Sequence, residues 1–512
     1  MNNISRRSFL KTTATAVAAT VTAPVVLPRG WYSLARADKL GYFESEFGIT
    51  DSLCQKVLAK ALSKGGDFAD LFFEHTIDNT LVLEDGKVNR AFSDVSLGVG
   101  IRTVKDEQAG YGFTQDLSEK SMLEAASTAA TIASAKSKEP AGKFALLETK
   151  NYYPLKTLLT AVPIESKLPL VQLANDKCFA LSPLIIKVNA GFYDQQKRIM
   201  IVTSEGVKAE DLQPKNYLYT SVVAEKNGKR ERAVWNLGGR RDFSFYTQTV
   251  VEEIAKTAVE RAIVLFEAVQ PPAGEMPVVL GPGVTGVLLH EAIGHGMEAD
   301  FSYKKISTFA TMMGRKVAEP FVTIVDDGTN PNLPGSINMD DEGTLGQKTI
   351  LVDKGILSSY MHDKISAKYY NVKSTGNGRR ESYQHYVQPR MRNTYMLAGT
   401  AIAEEVIKAA QKGIYVQDVS NGQVKIGEGD FAFYVSQGRM IEGGKLTAPI
   451  KDINIMGNGP KMLSNITMLA NDFKMSEGGA GACGKGGQAV PCGFGQPTSL
   501  VKSLTVGGVR MR

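Results

Sequence analysis

Cysteine is scarce in this chain, four in 512 residues, and so are histidine, at five, and tryptophan, at two. So few cysteines cannot staple a chain of this length, which excludes a disulfide scaffold and leaves buried apolar surface to stabilise the fold. Long hydrophobic runs are missing too. Beyond residue 37 the apolar stretches are strand-length and broken by glycine or charge, so none is long enough for a membrane helix. Acidic residues are absent from residues 1–37, which carry Arg6, Arg7, Lys11, Arg29 and Arg36. Without those five cations the formal charge of +6 becomes +1, and the basic balance gives no reason to expect a nucleic-acid partner.

That leader has a charged start, a mildly apolar middle and a small-x-small end at Ala35–Ala37. The pattern is that of a secretory signal cleaved after Ala37. The pair Arg6-Arg7, followed by Phe9, Leu10 and Lys11, is similar to a twin-arginine export signal, and predicts a periplasmic or cell-envelope protein. A membrane anchor is the competing reading, but the run is short, rich in Thr and Ala, and interrupted by prolines.

Glycine is abundant, at 50 residues, and crowds the last third of the chain, which predicts many turns and short strands. The length suggests two to three domains, and 43% apolar and 22% charged residues describe a folded protein. Residues 38–270 read as an α/β layered domain. A helix is expected over 49–65, capped by Asp51 or Ser52, then a hairpin turning at Asp85-Gly86, then strands at 95–104 and 108–114, then a helix starting near Ser118. Residues 150–250 fit less clearly and could extend that domain. A helix near 164–180, three strand segments and a helix ending near Ala268 are expected there, the last with an apolar stripe at Val250, Ile254, Ala258 and Ile263 or Val264. The charge run at 226–235 reads as a solvated hairpin tip. Val269–Glu275, with two prolines, is the best linker. Residues 271–512 read as a mainly β, barrel-like domain with one functional helix, so the fold class is α+β.

That helix, Val287–Phe301, reads VLLHEAIGHGMEADF. Zinc-protease helices place two histidines four apart, because residues advance about 100° each and the fourth returns to within about 40°. His290 and His295 are five apart. On a regular helix they diverge by about 140°, too far for one metal. A one-residue π-bulge would bring them together, as would a break after Gly294. Two polar residues on a partly buried helix are the plain alternative. Glu298, His362, His385 and Cys483 are the candidates for a third ligand, and two histidines with a cysteine is an accepted zinc set. Cys483 and Cys492 are also close enough in sequence to form a disulfide.

Five segments carry a resemblance: LLHEAIGHGMEAD, MDDEGT (339–344), STGNGRRESYQHYVQPRMRNTYML (374–397), IMGNGP (455–460) and CGKGGQAVPCGFGQPTSLVKSLTVGG (483–508). With GVGIRTVKDEQAGYGFTQDLSEKSMLEAA (98–126), they resemble the TldD branch of the TldD/PmbA metallopeptidases, from about residue 50 to the end. The resemblance implies His290, His295 and Cys483 as ligands of Zn2+ and Glu291 as the base. It implies flexible or unfolded peptides as substrates, and a homodimer or a heterodimer with a PmbA-like paralogue. An extended peptide would suit a strand-rich domain. On this reading Cys483 stays reduced, Cys492 is a small buried hydrophobe, Glu298 supports the ligands from behind, and a Tyr, Arg or His within 379–392 supplies the oxyanion donor. A non-catalytic partner in such a heterodimer and a zinc hydrolase of non-peptide amides are the alternatives.

Overall fold

Alternating burial along long strands builds the first layer. A computed structural model describes residues 41–508. The leader, where an export signal and cleavage site are expected, lies outside the described residues. Phe68–Glu84 and Lys87–Lys105 form a hairpin around Asp85 and Gly86, both at positive φ (49° and 77°), as a two-residue turn matching strand twist requires. An antiparallel sheet continues from it: Gln108–Thr114 lies outside Lys87–Lys105, while Ile185–Thr203, Val207–Lys226 and Lys229–Gly239 follow on the other side of Phe68–Glu84. Residues 150–250 therefore extend the same sheet. The charge run at 226–235 includes the expected exposed turn, at Asn227-Gly228.

Four helices of eleven residues or more cover this sheet. Asp51–Ala61 and Glu119–Ala129 pack on its first strands through Val57, Leu58, Met122 and Ala126. Ile164–Leu181 and Gln248–Val264 pack on its later ones. Three expectations need correction. The first helix is capped by Thr50, whose hydroxyl accepts the Leu53 N–H, not by Asp51 or Ser52. The buried stripe on Gln248–Val264 is Val251, Ile254, Ala255, Ala258, Val259 and Ala262, at i, i+3, i+4 spacing, with Val250 and Ile263 only partly buried at its edges. Strand segments read as separate at 69–76 and 79–84, at 87–92 and 95–104, and at 184–194 and 197–206 join pairwise into single strands. Polar residues cross-link them where the apolar pattern lapses: Ser93 Oγ donates to Asn79 at 2.6 Å and Asn79 Nδ2 donates to Asp194 at 2.8 Å.

The remaining chain closes a barrel. Gly274–Leu280, Ser499–Gly508, Ile453–Asn458, Asp430–Glu442 and Lys412–Lys425 pair in that order, and the last returns to the first as a parallel neighbour. The expected α+β class and barrel-like C-terminal region are thus present. A second sheet, centred on Ile324–Asp327 and Asn393–Met396, lies beside it. The small hairpin Ala482–Lys485/Gln488–Pro491 carries Cys483. Sheet and barrel regions are tied by a fully buried network. Arg102 Nε donates to Asp70 and Nη2 to Glu342, both at 2.7 Å, and Arg380 Nη2 donates to Asp70 at 3.0 Å.

Candidate metal centre

The five-residue spacing is resolved by a π-helical turn. Gly286–Leu289 is α-helical, His290–Gly294 widens to π, and the His295 N–H donates to the His290 carbonyl five residues back. The wider turn absorbs the extra residue and sets His295 over His290. The chain does not break after Gly294. It stays helical through Met297 and turns extended at Glu298 (φ −72°, ψ 123°). Leu288, Leu289 and Ile293 sit in the barrel core with Val416, Phe433 and Val501. Each contributes about 1.5–3 kcal/mol of burial, which offsets the irregular backbone. Close packing from distant segments fits the bulge: a Cβ on Gly294 would collide with the Met391 sulfur, and one on Gly459 with the Ala292 carbonyl.

Three donor atoms converge there. One ligand atom each from His290, His295 and Cys483 lies within 4.8 Å of the others, and all three residues are buried. His295 Nε2 is 3.5 Å from Cys483 Sγ, and the two imidazoles meet edge to face with centroids 5.2 Å apart. Both ring nitrogens of His290 are buried without a hydrogen-bond partner. A buried imidazole with no partner is costly in an apolar core, and a cation held jointly with the other two donors would relieve it. The residues present therefore fit a metal ion. Two imidazoles and a thiolate suit zinc and leave a coordination position for reactant.

The surroundings prepare the donors. Cys483 and Cys492 are free thiols, with no bridge between them. A hydrogen bond from Cys492 holds the Cys483 thiol well below its ordinary range, against the opposing effect of burial and with help from His290 and His295. The same bond and burial push Cys492 well up. Cys492 is thus buried as expected. His295 Nδ1 meets Glu298 Oε2 at 2.9 Å, which directs Nε2 to Cys483. Burial opposes charge on His295, yet Glu298 and Cys483 outweigh it and raise its pKa well above the ordinary value. Burial acts against the Glu298 carboxylate, while Lys485 at 3.1 Å and His295 hold its pKa down. Lys485 also reaches Asp300 at 2.7 Å.

Glu291 stands at the rim, its side chain 26% exposed and Oε2 3.6 Å from His295 Nε2. His362 and His385, offered as third ligands, do not join the cluster. Burial depresses His362 to about 4, and His385 Nδ1 lies 2.9 Å from Ser382 Oγ. Most of the polar side chains at 379–392 have structural partners: Arg380 pairs with Asp70, Arg392 with Asp326, and Arg390 donates to the Cys483 carbonyl. Lys485 carries no assignment from the sequence. Lys485 has a signal, because it stands two residues from Cys483 on one strand and so shares its face.

Comparison with known proteins matches this architecture along the chain. Family models for the PmbA/TldA metallopeptidase domain 1, central domain and C-terminal domain match residues 69–133, 158–266 and 273–508. A metalloprotease TldD homologue of Buchnera aphidicola is 38% identical over 486 residues, covering 93% of this chain and 98% of its own. A zinc metalloprotease TldD homologue of Saccharolobus solfataricus is 28% identical over 88% of this chain and 99% of its own. The crystal structure of TldE from Thermococcus kodakarensis shares the fold at a TM-score of 0.67, with 19% identity over 89% of this chain and all of that one. With its domains matched in order and a relative this similar over nearly its whole length, the chain belongs to the TldD/PmbA metallopeptidase family.

Proposed function

We propose that this metallopeptidase is zinc-dependent, that His290, His295 and Cys483 hold the ion, and that Glu291 is the general base for hydrolysis of flexible or unfolded peptides. The unpartnered, buried imidazole of His290 beside His295 and Cys483 carries the reading. Zinc bound there would supply a Lewis acid for the scissile carbonyl and lower the pKa of a water towards about 7. Glu291 at the rim takes a proton from the attacking water on its carboxylate oxygen and delivers it to the leaving amine. Glu298 fixes the His295 ring through Nδ1, and the surroundings of Cys483 favour its thiolate. The apolar wall of Leu289, Ile293 and Phe494 limits water to the open side. A partner subunit, identical or PmbA-like, and export with zinc loaded before transport complete the proposal; a mature protein retained in the cytosol would sink the export part.

The test is peptide cleavage and metal content in wild type and Glu291→Ala. The variant is expected to keep its zinc and lose activity by about 10²–10⁴-fold. Cleavage equal to wild type refutes the assignment. Bound zinc without hydrolysis of any flexible peptide would favour the non-catalytic partner instead.

A further inference from the structure

A second site lies behind Cys492. A cavity of about 30 Å³ is walled by Lys215, Arg240 and Arg379, among others, and by Pro491, the residue before Cys492. Five cations line it against three acids. Lys197 and Arg380 have carboxylate partners in Glu74 and Asp70. Among the described residues, Lys215, Arg240 and Arg379 have no carboxylate within ion-pair distance. Lys215 Nζ lies over the Tyr193 ring, at 5.6 Å. Arg240 is 3% exposed, makes long bonds to Pro214 O (3.4 Å) and Gln213 Oε1 (3.5 Å), and leaves Nε buried without a partner. Arg379 is 4% exposed and donates to Met391 O at 2.7 Å. The acids are already engaged: Asp340 accepts the N–H groups of Glu342, Thr344 and Gly378, Asp341 that of Arg380, and Glu381 that of Ala489.

Arg240 and Arg379 are buried and Lys215 half-buried, with the nearest acids beyond ion-pair distance, an arrangement that is costly unless something supplies an anion. The volume has room for about two water-sized atoms, enough for the two oxygens of a carboxylate group. The site backs directly onto the metal centre. Pro491 pairs with Ala482, the residue before Cys483, and the Met391 that receives the Arg379 bond packs against Gly294 of the π turn. We infer that Lys215, Arg240 and Arg379 form a subsite that binds a carboxylate of the peptide substrate beside the metal centre, an inference that rests on the peptidase reading above. The carboxylate is either the chain terminus or an acidic side chain. Guanidinium and ammonium groups in a desolvated niche recognise that group by charge-assisted hydrogen bonds.

The test measures binding apart from turnover. Zinc-loaded Glu291→Gln protein is titrated with four labelled peptides of one core: acid-ended, amide-ended, and amide-ended with an internal Glu or its Gln match. At least one carboxylate peptide is expected to bind about tenfold or more tightly than its neutral match. The pair that differs identifies the source. In the Lys215→Met background the ratio is expected to fall towards one, and Lys215→Arg is expected to restore it, which separates recognition from a folding defect. Equal binding within both pairs, or a ratio untouched by Lys215→Met, overturns the subsite, as does failure of every peptide to bind. If the ratio holds but wild-type enzyme cleaves none of the peptides, the peptidase reading fails and the subsite stands.

Discussion

The metal centre and the network of Asp70, Arg102, Glu342 and Arg380 are both fully buried and both polar, yet they differ in how their valences are met. In the network, two guanidiniums and two carboxylates balance in charge, and only Arg102 Nη1 and Arg380 Nε lack a partner among its side-chain atoms. At the metal centre, both His290 nitrogens are empty and three donors point at one spot. Burial and motif-like sequence are common to the two. What separates a structural tie from a reactive site is convergence without satisfaction.

Breaking the network should therefore cost stability. Arg102→Met leaves Asp70 and Glu342 buried with one cation fewer, and is expected to destabilise the fold by about 3–5 kcal/mol in denaturant titration. Glu291→Gln, at the exposed rim, is expected to change stability by less than about 0.5 kcal/mol. Similar losses for the two would erase the distinction.

The network's own neighbour sharpens it through pH. Burial and the nearby Glu342 charge push Asp340 from an ordinary 3.8 up to about 8. A carboxyl with a higher pKa folded than unfolded holds its proton better in the native state. Its contribution is fully present below pH 3.8 and is lost as pH rises through about 8. Wild type is expected to lose Tm between pH 5 and pH 8 more steeply than Asp340→Asn. Parallel curves would show that the carboxyl is ionised in the fold.

On the metal side, Glu298→Gln removes the charge behind His295 and is expected to weaken zinc affinity by about 10–100-fold in a chelator competition. An unchanged affinity would make the Glu298–Lys485–Asp300 chain a structural tie like the network. The sequence held the essentials of this centre. The five-residue spacing of His290 and His295 demanded a distorted helix, and the resemblance pointed to Cys483. It could not choose between bulge and break, because Met391 and Gly459, which pack against the bulge, are remote in sequence. The network was less legible still. Asp70 lies in an early strand, Glu342 and Arg380 in later loops, and no periodicity links them. The same limit explains the strands read in two pieces. Asn79, Ser93 and Asp194 look like loop residues singly and become a polar ladder only when paired.

The smallest effect belongs to a third kind of ion pair. Lys56 Nζ and Glu119 Oε2 stand 3.1 Å apart, but their side chains are 56% and 50% exposed. They link the helices Asp51–Ala61 and Glu119–Ala129, whose contact is already made by Val57, Leu58 and Met122. Water screens both charges, and holding two long side chains in place costs entropy. Lys56→Ala is expected to cost at most about 1 kcal/mol, and added salt should shrink that further. A loss as large as that of Arg102→Met would mean that charge pairing alone, and not its burial, sets the strength of the ties in this fold.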